Sequence, residues 1–278
     1  MDRLEPALDA SELLELAVGA ARMAGELLLE HCRRGTVGQV ASKSTPTDLV
    51  SEADHASERA IRELLASRRP HDGFLGEEGG RSAAGQSGLT WVVDPLDGTV
   101  NFVFGIPQWC VSVAVGDREG IIAGAIYDPN RDELFRAARN GAAALRGPAG
   151  ELELSGPRRG STGAGRDALA HKMIATGLYY DARVREAQAK VLARLVGQVR
   201  DIRRFGSAAL DLAWTAAGRY DAYFERGVQR WDIAAGALIC ERAGLRVLQL
   251  PAHEHLPAGI LVAPPSLAEQ LFGLVQGP

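Results

Sequence analysis

The sequence predicts a layered fold that mixes helices and sheets. Three observations support this class: a helical N-terminal part, a mostly antiparallel run of strands in the middle, and alternating strands and helices in the second half. At 278 residues and 46% hydrophobic, the chain can bury one large core or two close lobes. We expect a single domain over residues 1–278, with lobes at about 1–146 and 168–278 joined by a Gly/Pro-rich segment.

The N-terminal part predicts two helices followed by a loop. Residues 11–33 carry apolar side chains at helical spacing. A second helix is expected over 51–67, where Arg68-Arg69-Pro70 ends it. The small and polar stretch 79–88 predicts a mobile loop.

The middle of the chain predicts antiparallel strands over 110–115, 121–127 and 133–137, joined by turns. Residues 147–167 are rich in Gly, Pro, Arg and Ser and predict a linker. Its stretch 160–165 superficially resembles a phosphate loop, but the Lys-Ser/Thr pair of such loops is missing. In the second half, strands and helices are expected over 172–176, 183–199, 207–217, 221–225, 231–243 and 259–263, with a last helix after them.

The stretch 91–102 carries the most specific chemical signal. Its first three residues predict a buried strand, and the proline after Asp94 predicts that the chain leaves the sheet there. Asp94 and Asp97 form a carboxylate pair that suits hard divalent cations. Gly98 lets backbone approach a ligand, and a helix starting at Thr99 would offer N–H groups to an anion. The alternative is an ordinary Asp-Pro and Asp-Gly loop, but the density of these residues favours a site for metal ions and phosphate.

This motif resembles the signature of the inositol monophosphatase family, Mg2+-dependent phosphomonoesterases with lithium-sensitive members. Three further segments of the family pattern occur in the expected order: 43–54, 76–78 and 231–236. The resemblance runs from the first helix almost to the C-terminus and is to the bacterial inositol-1-monophosphatase type. It implies the five-layer αβαβα sandwich of the inositol monophosphatase and fructose-1,6-bisphosphatase group, and a homodimer.

The resemblance also implies a site for two to three Mg2+ ions. Glu77, Asp94 and the Leu96 carbonyl would hold one ion, and Asp94, Asp97 and Asp232 a second, while Glu77 helps a third. Two cations about 3.5–4 Å apart can clamp the attacking and the leaving oxygen of a displacement, and one activates its bound water. Asp94 at the strand end is the natural bridge. Asp232 could instead serve only as a capping-type residue at the start of its helix.

The catalytic residues that the resemblance implies are Thr99, Asp54 and Glu77. Thr99 would position the nucleophilic water with support from the two acids, and water would attack phosphorus directly, without a covalent enzyme intermediate. Asp54 also completes the capping box of a helix start, and the two roles do not exclude each other. Glu78 could act directly or support its neighbours. Lys43 is the least specific residue of the set, and the alternative is a solvated surface lysine.

The substrate contacts follow from the same resemblance. The phosphate would lie on the metal ions and on the N–H groups of Gly98 and Thr99. Glu225, seven residues before the Trp-Asp aspartate, could accept hydrogen bonds from the vicinal hydroxyls of a polyol. Ser207 and Ala208 match a segment that borders the ring, although Ser207 could simply cap a helix. The predicted substrate contacts are Asp97, Gly98, Thr99, Ser207, Ala208, Glu225 and Asp232.

Inositol monophosphate is the substrate most favoured by this pattern. Alternatives are other small phosphoesters, namely 3'-phosphoadenosine 5'-phosphate, histidinol phosphate or fructose 1,6-bisphosphate. Asn101 argues against the nucleotide and histidinol phosphate, because family members specialised for these substrates usually replace it.

Phe104 stands where animal members typically carry His, which predicts a change in pocket or interface packing. A further alternative is an additional binding role in transcription or ribosome assembly. His253 and His255 lie between prolines and predict a solvated loop.

Composition bounds the partners. The net charge of −4 and the pI near 5.9 do not favour nucleic acid as a general partner. Cys32, Cys110 and Cys240 are widely spaced and odd in number, which predicts free, mostly buried thiols in a reducing cytoplasm. The sequence begins without a signal-peptide pattern, and no apolar run approaches the roughly 20 residues of a membrane span. We therefore expect a cytoplasmic protein without a membrane partner.

Overall fold

The helices of the protein largely follow the apolar periodicity of the sequence. The computed structural model describes residues 9–34, 40–43, 49–81, 85–157 and 169–277. Over these residues the helices are α1 (Ala10–Arg34), α2 (Glu52–Arg68), α3 (Thr99–Val103), α4 (Ala182–Leu195), α5 (Ala208–Ala216), α6 (Arg230–Arg242) and α7 (Pro265–Val275), with a 3-10 turn at Leu169–His171. The predicted helices are confirmed, although α4 ends at Leu195, earlier than expected.

A two-stranded and an eight-stranded sheet form the first half of the described chain. The small sheet pairs β1 (Val40–Ser42) with β2 (Leu49–Ser51). The strands of the large sheet are β3 (Gly73–Gly76), β4 (Gly80–Arg81), β5 (Thr90–Asp97), β6 (Cys110–Gly116), β7 (Ile121–Asp128), β8 (Glu133–Ala138), β9 (Ala144–Gly147) and β10 (Gly150–Glu153). Their order is β10-β9-β8-β7-β6-β5-β3-β4, and the pairing is antiparallel except between β3 and β5.

A five-stranded mixed sheet forms the second half. Its strands are β11 (Met173–Thr176), β12 (Asp201–Arg203), β13 (Ala222–Arg226), β14 (Arg246–Leu250) and β15 (Gly259–Ala263). The order is β12-β11-β13-β15-β14, with parallel pairs on both sides of β11 and antiparallel pairs on both sides of β15. The edge strands β12 and β14 were missed in the sequence because they carry few buried apolar side chains.

The elements stack in five layers, as the family resemblance implies. Helices α1 and α2 pack on one face of the eight-stranded sheet, and α5 and α6 lie between the two sheets. Helices α4 and α7 cover the outer face of the five-stranded sheet. Three clusters of buried apolar side chains fill the spaces between these layers. The predicted αβαβα sandwich is confirmed.

Strand β5 is longer than predicted. The sequence suggested that it ends at Asp94, but pairing with β6 resumes at Asp97, and the register shifts between them. Pro95 lies in this bulge, where its missing N–H interrupts no ladder bond. Residues three apart on a regular strand face opposite sides of the sheet. The bulge instead allows both aspartates to reach the same cleft.

Two predicted loops differ from the structure. The hairpin of β9 and β10 extends the large sheet to Glu153, inside the stretch predicted as a linker and beyond the proposed end of the first lobe at residue 146. All four residues of β10 are exposed, so no apolar alternation revealed it. The predicted loop over 79–88 begins with β4, and its residues 82–84 lie outside the described residues, as does the stretch 160–165. The division into two lobes stays a prediction.

The helices of the described chain lack the combination of length and hydrophobicity that a membrane crossing requires.

Candidate active site

One cleft of about 330 Å³ brings most of the predicted site residues together. Strand ends from both large sheets and the first residues of α3, α5 and α6 line it. The predicted residues among its lining are Glu77, Asp94, Leu96, Asp97, Gly98, Thr99, Ala208, Glu225 and Asp232, and Lys43 joins them. Asp54 and Ser207 lie behind this lining, where each contacts one of its members.

Four carboxylates form the part of the cleft that we call the metal half: Glu77, Asp94, Asp97 and Asp232. Burial raises the pKa of each of them, and repulsion from neighbouring carboxylates adds to the rise for Asp94, Asp97 and Asp232. Lys43 opposes the rise in the pKa of Glu77. The pKa of Asp97 reaches only about 6, because Ser207 and a backbone N–H stabilise its charged form. Together with the Leu96 carbonyl, these groups make an all-oxygen donor set, which suits a hard divalent cation whose charge would relieve the repulsion. The chemistry of the donor set fits such an ion, but within the described part of the chain no group of three or more His, Cys, Asp or Glu side chains is arranged to hold one.

Asp54 makes the contacts that both of its predicted roles require. Its Oδ2 accepts hydrogen bonds from the Ser51 backbone N (2.9 Å) and Oγ (2.5 Å), which caps α2. Its Oδ1 accepts a hydrogen bond from Thr99 Oγ1 at 2.9 Å, while the Leu96 carbonyl lies 3.1 Å from the same hydroxyl. A hydroxyl has one proton and two lone pairs. When Thr99 donates to Asp54, its lone pairs remain available to a water molecule.

Asp97 is held by the start of α5 rather than by its own segment. Ser207 Oγ donates to Asp97 Oδ2 at 2.5 Å, and the backbone N–H groups of Ala209 and Ala208 donate at 2.7 and 3.2 Å. Ser207 also caps α5 by accepting a bond from Leu210 N at 3.4 Å. The capping role of Ser207 is therefore present, and its hydroxyl faces Asp97 behind the cleft.

Lys43 is paired with the acidic side chains of the cleft. Its Nζ lies 2.7 Å from Glu77 Oε1 and 2.5 Å from Glu78 Oε1, and its side chain is only 22% exposed. Although burial alone would lower the pKa of Lys43, the two glutamates raise it. Burial raises the pKa of Glu78 to about 7. Lys43 is thus an ion-paired residue of the cleft lining, although the residue as a whole is exposed.

Asp232 caps its own helix. The Gln229 backbone N donates to Asp232 Oδ2 at 2.6 Å at the start of α6, so the capping alternative is present. The same carboxylate lines the cleft beside Trp231. As with Asp54, capping uses one oxygen of the group and leaves the other for a second function.

The opposite part of the cleft, which we call the alcohol half, is lined by Glu225, Arg204 and Tyr179, with Gly177 beneath. Tyr223 OH donates to Glu225 Oε2 at 2.8 Å, and burial raises the pKa of Glu225 to about 7. A Cβ on Gly177 would collide with the Glu225 carboxylate, so only glycine leaves room for it. No sequence motif indicated Tyr179, Arg204 or Gly177 as site residues.

Two positive-φ glycines shape the same wall. Gly206 (φ 86°) and Gly227 (φ 85°) have conformations that favour glycine. A Cβ on Gly206 would meet the Arg204 guanidinium, and a Cβ on Gly227 would meet the Tyr179 ring. The glycines themselves were the only hint of close packing at these positions in the sequence. Which side chains pack against them could not be deduced from the sequence.

Three further residues lie outside the cleft lining. The Asn101 side-chain N donates to the carbonyls of Gln108 and Phe205, both at 2.7 Å, so it braces the chain behind the cleft. Phe104 is 71% exposed and is not part of the lining. His253 and His255 lie in an exposed loop, as predicted.

The five-layer sandwich and its cleft of buried carboxylates define a class, the metal-dependent phosphoric monoester hydrolases. Residues 9–276 match the model of the inositol monophosphatase family, and the chain belongs to this family. It is 45% identical over 245 residues to the inositol-1-monophosphatase SuhB of Mycobacterium tuberculosis, covering 86% of this chain and 82% of that protein.

Two further comparisons agree with this membership. The Nus factor SuhB of Pasteurella multocida is 38% identical, covering 95% of this chain and 96% of that protein. The crystal structure of the extragenic suppressor protein SuhB from Bartonella henselae superposes with a TM-score of 0.80 at 35% identity, covering 95% of this chain and 98% of that one. Members of the family act on small phosphate esters.

Proposed function

We propose that this protein hydrolyses a phosphate monoester with Mg2+, and that inositol monophosphate is the substrate. The observation that carries the proposal is the arrangement of one cleft. Four carboxylates and the Leu96 carbonyl line its metal half, and Glu225 lines its alcohol half. A phosphate needs cations beside such carboxylates, whereas a polyol needs hydrogen-bond acceptors.

The metal half would hold two to three Mg2+ ions. Glu77, Asp94 and the Leu96 carbonyl would bind one ion, Asp94, Asp97 and Asp232 a second, and Glu77 would help a third. Bound Mg2+ would neutralise the phosphate charge and lower the pKa of a water molecule in the site. Burial, and after it repulsion among neighbouring carboxylates, raises the pKa of Asp94 and Asp232, and a bound cation would offset that repulsion, which supports this assignment.

Thr99 and Asp54 would orient the attacking water. Because Asp54 Oδ1 accepts a hydrogen bond from the Thr99 hydroxyl, the Thr99 oxygen can accept a hydrogen bond from water and so direct the water's lone pair. The buried Asp54, held by Ser51, keeps the Thr99 hydroxyl in one orientation. Gly98 and Thr99 would contact the phosphate where α3 begins. Positioning of this kind supplies much of the catalysis in phosphoryl transfer.

The alcohol half would bind the leaving group. Glu225 would accept hydrogen bonds from ring hydroxyls, with Tyr223 holding its other oxygen. Ala208 lines the same cleft and would border the ring. A carboxylate with a pKa of about 7 can both accept and, when protonated, donate a hydrogen bond, which suits a hydroxyl-rich alcohol.

Phosphate release tests the proposal. The purified protein is incubated with Mg2+ and a panel of inositol monophosphates, 3'-phosphoadenosine 5'-phosphate, histidinol phosphate and fructose 1,6-bisphosphate, and inorganic phosphate is measured with malachite green. We expect the highest kcat/KM with an inositol monophosphate and no release in EDTA. Preference for another ester would replace the substrate, and no Mg2+-dependent release from any of them would refute the enzymatic proposal.

A second candidate function is binding within the transcription or ribosome-assembly machinery. The name of the Pasteurella multocida relative, Nus factor SuhB, supports it. Pull-down of purified Nus proteins with this chain, in Mg2+ and in EDTA, would test it.

We further propose a homodimer in the cytoplasm. The three cysteines are unpaired, with Cys110 and Cys240 buried and Cys32 exposed, which is typical of a reducing compartment. A monomer mass by light scattering would refute the dimer.

A further inference from the structure

Helix α2 directs three buried polar side chains at the segments that carry the predicted metal ligands. Asp54, Ser57 and Glu58 are at most 4% exposed, and their spacing places them on one face of the helix. Asp54 contacts Thr99, but the other two have no role in the proposed reaction. We propose that Ser57 and Glu58 are positioning residues that fix the two loops carrying the metal ligands. This inference rests on the proposed function.

Glu58 holds the turn that follows β3. Its Oε2 accepts a hydrogen bond from the Glu78 backbone N, and its Oε1 accepts one from the Gly79 backbone N, both at 2.8 Å. Arg62 Nη2 donates to Oε1 at 3.0 Å and keeps the carboxylate paired. Such charge-assisted bonds are shorter and stronger than neutral ones. Glu77 lies directly before this turn, so the backbone that presents it to the cleft is fixed from α2.

The turn is also shaped to receive the Glu58 carboxylate. A Cβ on Gly76 or on Gly79 would collide with a carboxylate oxygen of Glu58. Neither glycine has a positive φ, so close approach rather than backbone conformation explains their presence. The two glycines of the Gly-Glu-Glu-Gly pattern therefore leave room for the carboxylate of a third acid, Glu58, which lies in α2.

Ser57 holds the second loop. Its Oγ donates to the Pro95 carbonyl at 2.8 Å, inside the bulge of β5 between Asp94 and Leu96. The register shift leaves this carbonyl outside the regular pairing with β6, and Ser57 supplies its donor. The bond ties the segment that carries three predicted ligands, Asp94, Leu96 and Asp97, to the same helix that holds the turn after Glu77. One face of α2 thus sets the distance between loops that must share metal ions.

Two variants test the inference through metal binding. Glu58→Gln places an NH2 group against a backbone N–H, and Ser57→Ala removes the donor to Pro95. Loss of groups that orient metal ligands costs about 10–100-fold in metal affinity. We expect each variant to weaken Mg2+ binding about tenfold in isothermal titration calorimetry without substrate, with a smaller loss of kcat at saturating Mg2+. Glu63→Gln is the matched control, because Glu63 is exposed on the same helix.

Hydrogen exchange gives a readout that needs no metal. In the metal-free protein, Glu58→Gln should speed amide exchange in a peptide covering residues 74–81, because one of the N–H groups of Glu78 and Gly79 loses its acceptor. Ser57→Ala should leave the same peptide unchanged, since it removes a bond to Pro95 only. This difference separates a local positioning role from a general loss of stability.

The outcomes discriminate between this inference and the proposed function. If the variants melt like the wild type and bind Mg2+ within about twofold of its affinity, the positioning role is wrong while the proposed function stands. If Glu58→Gln does not fold, Ser57→Ala decides by the same titration. A wild type that neither binds Mg2+ nor releases phosphate would overturn both.

Discussion

The two halves of the cleft are built by different physical means. In the metal half, carboxylates that repel one another are kept in place by hydrogen bonds from Ser207, Gln229, Lys43 and the backbone of α5. In the alcohol half, the shape arises from missing Cβ atoms at three glycines that admit larger side chains. A charge requirement leaves a motif in the sequence, whereas a steric gap leaves only an isolated glycine. For this reason, the residues of the metal half could be predicted from sequence motifs, whereas the shape of the alcohol half could not.

The largest effect is expected in the metal half, from Asp94→Asn. The substitution removes the carboxylate that we propose to bridge two ions, and a metal ion contributes several kcal/mol of charge stabilisation to the transition state. Since each 1.36 kcal/mol is tenfold in rate, kcat/KM should fall about a thousandfold or more. The fold should persist, because one of four repelling charges is lost. Phosphate release and thermal melting in EDTA measure the two effects, and retained activity would show that Asp94 is not the bridge.

The difference between the halves also explains which parts of the fold and of the site could be predicted from the sequence. Periodicity revealed the helices, and the predicted metal ligands stood in ordered motifs, so the residues that line the cleft were largely predicted. The exposed hairpin β9–β10 left no alternation to detect. Arg204, Tyr179 and Glu58 were missed because their partners are distant in sequence or are backbone atoms. No local pattern encodes such contacts.

The next effect concerns the alcohol half and Gly177→Ala. The added Cβ would displace the Glu225 carboxylate, which is the movable end of a side chain, so the fold should survive. A hydrogen bond to a charged group contributes about 1.5–3 kcal/mol, so kcat/KM for inositol monophosphate should fall about 10–100-fold. Hydrolysis of p-nitrophenyl phosphate, which lacks a polyol, should change little.

A matched variant controls this test. In Gly197→Ala the new Cβ meets nothing within 4 Å, so both substrates should be hydrolysed as by the wild type. Glu225→Gln should reproduce the substrate selectivity of Gly177→Ala. Equal losses on both substrates in Gly177→Ala would mean that the glycine supports the whole cleft and that the halves are not independent.

A moderate effect is expected on the pH dependence of stability. Burial raises the pKa of Asp97 to about 6 and of Glu225 to about 7, whereas unfolded carboxyls titrate near about 4. The folded protein therefore binds more protons than the unfolded chain between these values, and the free energy of unfolding falls as pH rises. Without metal, Tm should drop by roughly a few °C between about pH 5 and pH 7.5.

Mg2+ and one variant separate the two halves in this measurement. Saturating Mg2+ should remove the part of the decrease in Tm with pH that arises in the metal half, because the cation stabilises the charged carboxylates. Glu225→Gln should remove the share of the alcohol half with or without Mg2+. Scanning calorimetry at several pH values would check this. A Tm that rises with pH in EDTA would contradict the assignment of this pH dependence to buried carboxyl groups with raised pKa values.

The smallest effect should follow Phe104→Ser. The sequence left open whether Phe104 alters the pocket or an interface, and its 71% exposure outside the cleft argues against the pocket. Surface substitutions stay within about 0.5 kcal/mol, so kcat/KM should remain within about twofold. If the residue contributes to the proposed dimer, light scattering should show a larger monomer fraction. A change in substrate preference at constant mass would instead mean that Phe104 affects the position of Thr99 through α3. The metal half would then depend on an exposed side chain.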